Sequence, residues 1–351
     1  MNLNRRFFIS TAMYSIAAAG ISPLLADDKV ANTFNIDFTG DLDSTDSFQK
    51  LLDYCANKAT QISNGFQKVA LYITGIIRVS STLVIDASKV NIIGPATIIF
   101  SNSNGFKPFG IILNSKGGSQ AAYTNGVGSV FESVNFISQR KIDLFFASNS
   151  SSSSASNPSC LINVSQCRFT GFNRVFTNGK GGWGWNWDRC GFNGCSNLLY
   201  ITSKPDTYER FTFSSCIWQN GGVAFYIDNP FGKIYWSNGS FDYCEAIATI
   251  KRGHLSVSGH LEYESRDSPI VTILDENATF LFSDGSIFIR KNKDKHYMFD
   301  QLNDNQVTIR DVHFISDSVN PDAAVLSNKK CQSAGLFFSD DNSMKIMTNK
   351  M

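Results

Sequence analysis

A six-residue pattern (apolar, polar, polar, small, any residue, then aromatic or aliphatic) returns throughout the chain. It stands at 131–136, 164–169, 187–192, 213–218, 236–241, 282–287 and 309–314, with a degenerate copy at 257–260. Successive copies begin 21–27 residues apart, except for a first interval of 33 that holds the serine-rich stretch 148–156. A period of that length in strand-forming sequence describes a solenoid in which each repeat is one coil. Parallel strands then stack about 4.8 Å apart, and equivalent side chains form ladders along the core. The fourth position forms one such ladder, Cys167, Cys190, Cys216 and Gly239. Cysteine acts there as a small hydrophobe, and stacking explains its spacing without a metal or redox role. Leucine-rich repeats share the period but need regular leucines, which this chain lacks. The predicted fold class is all-β, a single-stranded, right-handed parallel β-helix.

Composition agrees. The 351 residues include 29 Phe, 11 Tyr, 5 Trp and 26 Gly, residue types suited to strands and the turns between them. Lys and Arg number 31 against 30 Asp and Glu, so no global field favours nucleic acid or an anionic membrane. The eight cysteines include no C-x-x-C pair, which argues against structural zinc. Phosphate loops, nucleophile elbows and helix-borne histidine pairs are absent, and no cofactor is expected.

Residues 1–26 read as an export signal or a retained N-terminal helix. Arg5 and Arg6 precede Phe7, Phe8 and Ile9, then an apolar run from 11 to 25, a twin-arginine pattern too short for a confident membrane span. Residues 27–66 hold an opening segment and a helix over 45–59, with Phe48, Leu51, Leu52 and Cys55 on one face and Asp43, Ser44 and Thr45 as N-cap candidates. The β-helix is expected over 67–317, followed by a polar tail or cap over 318–351.

The stretch from Gly40 through Asp43, Thr45 and Phe48 to Gln49 resembles the G-x-x-D-D-T-x-A-[IF]-Q signature of pectate-lyase-like β-helix proteins, a superfamily that includes phage tailspikes and capsule depolymerases. Residues 69–77 resemble its V-x-[LF]-P-x-G-x-Y strand, with Ile73 and Ile77 replacing Pro and Tyr, and 90–94 resemble the strand that follows. The resemblance spans about 36–316. It is specific for fold and weak for chemistry, because these segments cap the helix. It implies a protein acting on capsular or exopolysaccharide, exported or carried on a virion tail. It offers a homotrimer as the assembly, with a monomer as the alternative.

Glycoside hydrolysis needs two carboxyl groups about 5–10 Å apart. The densest acidic region is Asp242, Glu245, Glu262, Glu264 and Asp267. Alternation around Leu261 and Tyr263 turns Glu262 and Glu264 outward, one coil beyond Asp242 and Glu245. These four are the catalytic candidates, with Asp267 beside them for substrate; the ordinary alternative is a solvated acidic face. Lys251, Arg252 and His254 form a basic group that would neutralise a uronate carboxylate in an elimination, on the same face as Glu262. The ordinary alternative there is a basic turn. Repeat parity puts Trp185 and Trp187 in the core and leaves Trp183 at the rim as a platform for a sugar ring. Asp228, Lys251, Asp275 and Asp300 recur at coil-like spacing on a second outward face. The expected function is a polysaccharide depolymerase acting by paired carboxylates or by β-elimination, with a non-catalytic glycan-binding spike or a secreted bacterial lyase as alternatives.

Overall fold

The computed structural model describes residues 22–25, 33–62, 65–106, 109–115, 128–147, 160–178, 182–202, 210–264, 268–290, 297–316 and 327–340. They wind into a parallel β-helix of three sheets. Each coil visits the sheets in a fixed order. In one coil, Ile162–Ser165 lies in the first sheet, Arg168–Thr170 in the second and Arg174–Asn178 in the third. The next coil repeats this with Asn186–Asp188, Gly191–Asn193 and Asn197–Ile201. Register holds from coil to coil: Val164 pairs Trp187, Phe169 pairs Phe192, and Phe176 pairs Leu199.

The six-residue pattern is the corner between the first and second sheets. Its third position takes a left-handed backbone in copy after copy, at Ser133, Gln166, Arg189, Ser215, Asn238, Asp284 and Asp311, with φ of 51–58°. This single residue turns the strand, so the first and sixth positions both face inward. The fourth position sits inside the bend, where the chain of the previous coil comes close. There the Cys190 and Cys216 thiols donate to the carbonyls of Val164 and Trp187 one coil back, at 3.6 and 3.5 Å. Burial pushes the Cys167 thiol up to about 12, and the same cause raises Cys190. Among the described residues all of the eight cysteines but Cys331 are buried.

First and sixth positions fill the core with stacked rings. Phe136, Phe169 and Phe192 lie 5.1 Å apart at near-parallel angles. Trp187, Phe213 and Trp236 form a neighbouring column at 5.8 and 5.6 Å. Strand spacing fixes ring spacing, and each contact contributes about 0.5–1.5 kcal/mol beyond area burial. Trp185 and Trp187 are both buried, as parity requires.

Helix α1, Thr45–Lys58, seats Phe48, Leu51, Leu52 and Cys55 on the opening coil. Ser44 is its N-cap but makes no side-chain cap; its Oγ accepts the amide of Asp37, and the Thr45 amide donates to Asp43 Oδ1 instead. Ser22–Leu25, from the segment read as signal or helix, forms a strand parallel to Val69–Tyr72. Residues 1–21, with the paired arginines, lie outside the described residues. At the far end, Gln332–Asp340 adds a strand parallel to Val307–Ser316 and covers the last coil. No helix among the described residues is long and apolar enough to cross a membrane.

Candidate active site

Outward positions of the second sheet form two columns parallel to the solenoid axis. Register places Arg168, Gly191, Ile217, Ser240, His260 and Ser286 in one. Thr170, Asn193, Gln219 and Asp242 stand in the other. Phe241 pairs Leu261, so Glu262 is the next step of the second column after Asp242. Core-facing Phe241 and Leu261 anchor the strands, and alternation turns Asp242 and Glu262 to the other face, where both are half-buried and Glu262 Oε2 is screened from solvent. The two carboxylates therefore ride on adjacent strands, about 4.8 Å apart at the backbone. The Ser240 hydroxyl donates to Asp242 Oδ2 at 2.8 Å and orients that carboxylate. His260, two residues before Glu262 on the same face, shares a 2.8 Å hydrogen bond between Nδ1 and Ser286 Oγ.

The columns lead from these carboxylates to an open groove of about 470 Å³ over Gly191. Arg168, Arg189, Asn193, Ser215, Ile217 and Gln219 are among its lining residues. Sequence reasoning passed over this groove because each member is unremarkable taken singly. The repeat alignment held the signal: third positions Gln166, Arg189 and Ser215 and fifth positions Arg168, Gly191 and Ile217 converge on one surface.

The acidic cluster is thus divided. Asp242 and Glu262 are brought together. Glu245 is not: Tyr243, at φ 53°, turns the chain between them, and Glu245 lines a separate hollow of about 420 Å³ with Lys141, Asn220 and Tyr243. Glu264 continues the strand of Glu262, opposite Arg290 in register, but its side chain lies outside the described residues, as does Asp267 entirely.

The basic group does not share the face of Glu262, contrary to expectation. Ala246–Glu264 is one strand by hydrogen bonding, yet it passes through all three sheets, bending at Gly253 and Gly259. Lys251 and Arg252 end its third-sheet portion and pair with Asp228, at 3.3 Å (Lys251 Nζ to Oδ2) and 2.7 Å (Arg252 to Oδ1). Asp228 is buried, so these cations compensate a carboxylate of the chain itself. His254 belongs to the first sheet, its Nδ1 2.9 Å from Thr279 Oγ1. Burial, then Lys233, holds its imidazole below the usual range, which disfavours the charged form. Trp183 is half-buried and packs one side against the core. Asp300 ends the outward third-sheet column Tyr226, Thr249, Thr272, while Asp275 accepts the amide of Asn277 in a turn. Among the described residues no group of three His, Cys, Asp or Glu side chains could hold a metal ion.

No family model and no curated protein matches the sequence. Solved structures do match in shape. The enzymatically active domain of tailspike protein 4 from bacteriophage CBA120 superposes with a TM-score of 0.64 at 15% identity, over 86% of this chain and 44% of that one. The Streptococcus pneumoniae surface protein and adhesin PfbA aligns over 91% of this chain and 98% of its own, with a TM-score of 0.40 at 9% identity. An exopolygalacturonase from Thermotoga maritima gives 0.30 at 10% identity, over 92% and 93%. This chain spans less than half of the tailspike domain, and the likeness is one of backbone path. What the likeness to the tailspike domain shows is the fold, a parallel β-helix.

Proposed function

We propose that the chain is a polysaccharide depolymerase whose glycan lies along the second sheet, parallel to the solenoid axis, and is cut at Asp242 and Glu262. The observation that carries this reading is the stacking of these two outward carboxylates on adjacent strands, at the head of a polar groove. A strand spacing of about 4.8 Å is close to the roughly 5 Å separation used for hydrolysis with retention. Asp242, oriented by Ser240, takes the carboxylate role, and Glu262 protonates the leaving oxygen. Thr170, Asn193 and Gln219 supply hydrogen bonds to sugar hydroxyls along the same column. The likeness to an enzymatically active tailspike domain supports the setting, though it shows fold alone. His260 beside Glu262 favours β-elimination from a uronate as the second reading, with the imidazole as base.

The test is incubation of the purified protein with a panel of capsular and exopolysaccharides. New reducing ends mean hydrolysis, and the ultraviolet absorbance of an unsaturated uronate means elimination. Asp242→Asn and Glu262→Gln should each lower turnover by about 10²–10⁴-fold at an unchanged melting temperature. Glu245→Gln, on the other side of the corner, should retain wild-type turnover. Binding without product would leave a glycan-binding spike; full activity in both carboxylate variants would remove them from the chemistry.

A further inference from the structure

In the outward column Arg168, Gly191, Ile217, glycine leaves a notch between its neighbours. A Cβ placed on Gly191 would meet only Arg168 Cγ, at 3.9 Å, so close backbone packing is not the reason for glycine here. The notch is open to ligand. Two guanidinium groups border it: Arg168 from the coil below, and Arg189 from the left-handed corner of the same coil. The Arg168 side chain is exposed and makes no hydrogen bond or ion pair with the described residues. Among the described residues the Arg189 guanidinium pairs with its neighbour Asp188, at 2.8 Å, with both side chains about half exposed. A solvated pair of that kind holds little energy and leaves the remaining N–H donors available. No carboxylate lines the groove, whereas Asn193, Gln219 and Ser215 add neutral donors. Ile217, 46% exposed, offers an apolar patch for the face of a sugar ring.

We propose that the Gly191 notch is an anion-reading subsite. It takes a sugar residue bearing an anionic oxygen group, between Arg168 and Arg189, and thereby selects acidic polysaccharides. The inference rests on the proposed reading for the direction of the glycan and adds the substrate class. Planar, forked guanidinium groups suit carboxylate, sulfate and phosphate oxygens alike. Gly191 lies two strands from Asp242 and three from Glu262, so the charged sugar sits about 10–15 Å from the bond that is cut.

The experiment measures binding of the full chain to immobilised polygalacturonate, alginate and hyaluronate as carboxylate polymers, to chondroitin sulfate as a sulfated one, and to dextran as a neutral one. Expected are binding to an anionic polymer, none to dextran, and weakening as salt rises. Arg168→Gln and Arg189→Gln should each weaken binding about 10- to 100-fold, the worth of a charge-assisted contact. Gly191→Leu should abolish it at an unchanged melting temperature, because the new side chain fills the notch without touching the core. Retention of the carboxylate polymers alone assigns the group to a sugar acid; retention of chondroitin sulfate alone assigns it to an ester. Failure of every anionic polymer to bind, or wild-type affinity in all three variants, overturns the subsite. Neutral glycan cut in an Asp242- and Glu262-dependent way would overturn the subsite and leave the depolymerase standing. Acidic polymer bound through Arg168 and Arg189 but never cut would do the reverse.

Discussion

Replacing Gly253 by alanine tests the coil geometry that separates Arg252 from the second sheet. Gly253 has φ +112° at the corner where the chain leaves the third sheet for the first. A Cβ there would stand 2.6 Å from the Asn229 carbonyl oxygen, 2.8 Å from that of Gly232 and 3.0 Å from Ile227 Cγ2. All three fall short of the 3.4 Å of ordinary contact, and two belong to backbone that cannot rotate aside. The coils must part by several tenths of an ångström, an overpacking cost of about 1–3 kcal/mol. Holding a side chain at that φ adds about 1–3 kcal/mol. The expected destabilisation is thus about 2–6 kcal/mol, a large part of the 5–15 kcal/mol typical of a folded domain. Gly194→Ala is the control: φ is +64°, but nothing lies within 4 Å of the new Cβ, so only backbone strain of about 1–2 kcal/mol remains. Guanidinium unfolding followed by tryptophan fluorescence gives the global effect. Solenoids also open coil by coil, so hydrogen exchange should accelerate most in the strands Val223–Asp242 and Ala246–Glu264. A Gly253→Ala protein no less stable than Gly194→Ala would refute the close approach of the coils.

Stability should fall steeply above pH 9. Burial holds the Cys55 and Cys167 thiols up at about 12 and Cys195 at about 11, so above the ordinary value of 9 the unfolded chain releases protons that the native chain keeps. Each such thiol contributes stability that is intact below pH 9 and declines by up to about 1.4 kcal/mol per pH unit beyond it, until its own value is reached. Melting temperatures from pH 7 to 11 check this, and a flat profile contradicts the burial of the thiols. Asp228→Ala should cost about 1–2 kcal/mol, discounted because Lys251 and Arg252 can turn to water, and should leave glycan cleavage intact if that cluster is structural. Trp187→Ala removes a buried ring stacked on Phe213 and Trp185 and should cost about 3–5 kcal/mol, read as new proteolytic sites between residues 160 and 220.

How much of this protein can be read from its residues alone follows from which forces act locally. The coil is legible because its corner is a local event. One left-handed residue, a small residue inside the bend and an inward ring on either side recur together, and backbone stacking turns that recurrence into ladders. The buried thiols of Cys167, Cys190 and Cys216 and the inward Trp185 and Trp187 follow from that parity. Faces are another matter. Asp242 and Glu245 are three residues apart, yet Tyr243 turns one onto the second sheet and sends the other around the corner. Lys251 and Glu262 look adjacent along a single strand, yet bends at Gly253 and Gly259 carry them to different sheets, and Asp228 from the coil before claims both Lys251 and Arg252. The Gly191 groove draws its walls from three successive coils. Within a regular strand, periodicity tells a residue whether it faces in or out, because that choice is made by its own strand; Asp228, where the register shifts, is buried against the outward expectation. Which outward residues meet depends on how many residues each corner consumes, and only the stacked coils decide that.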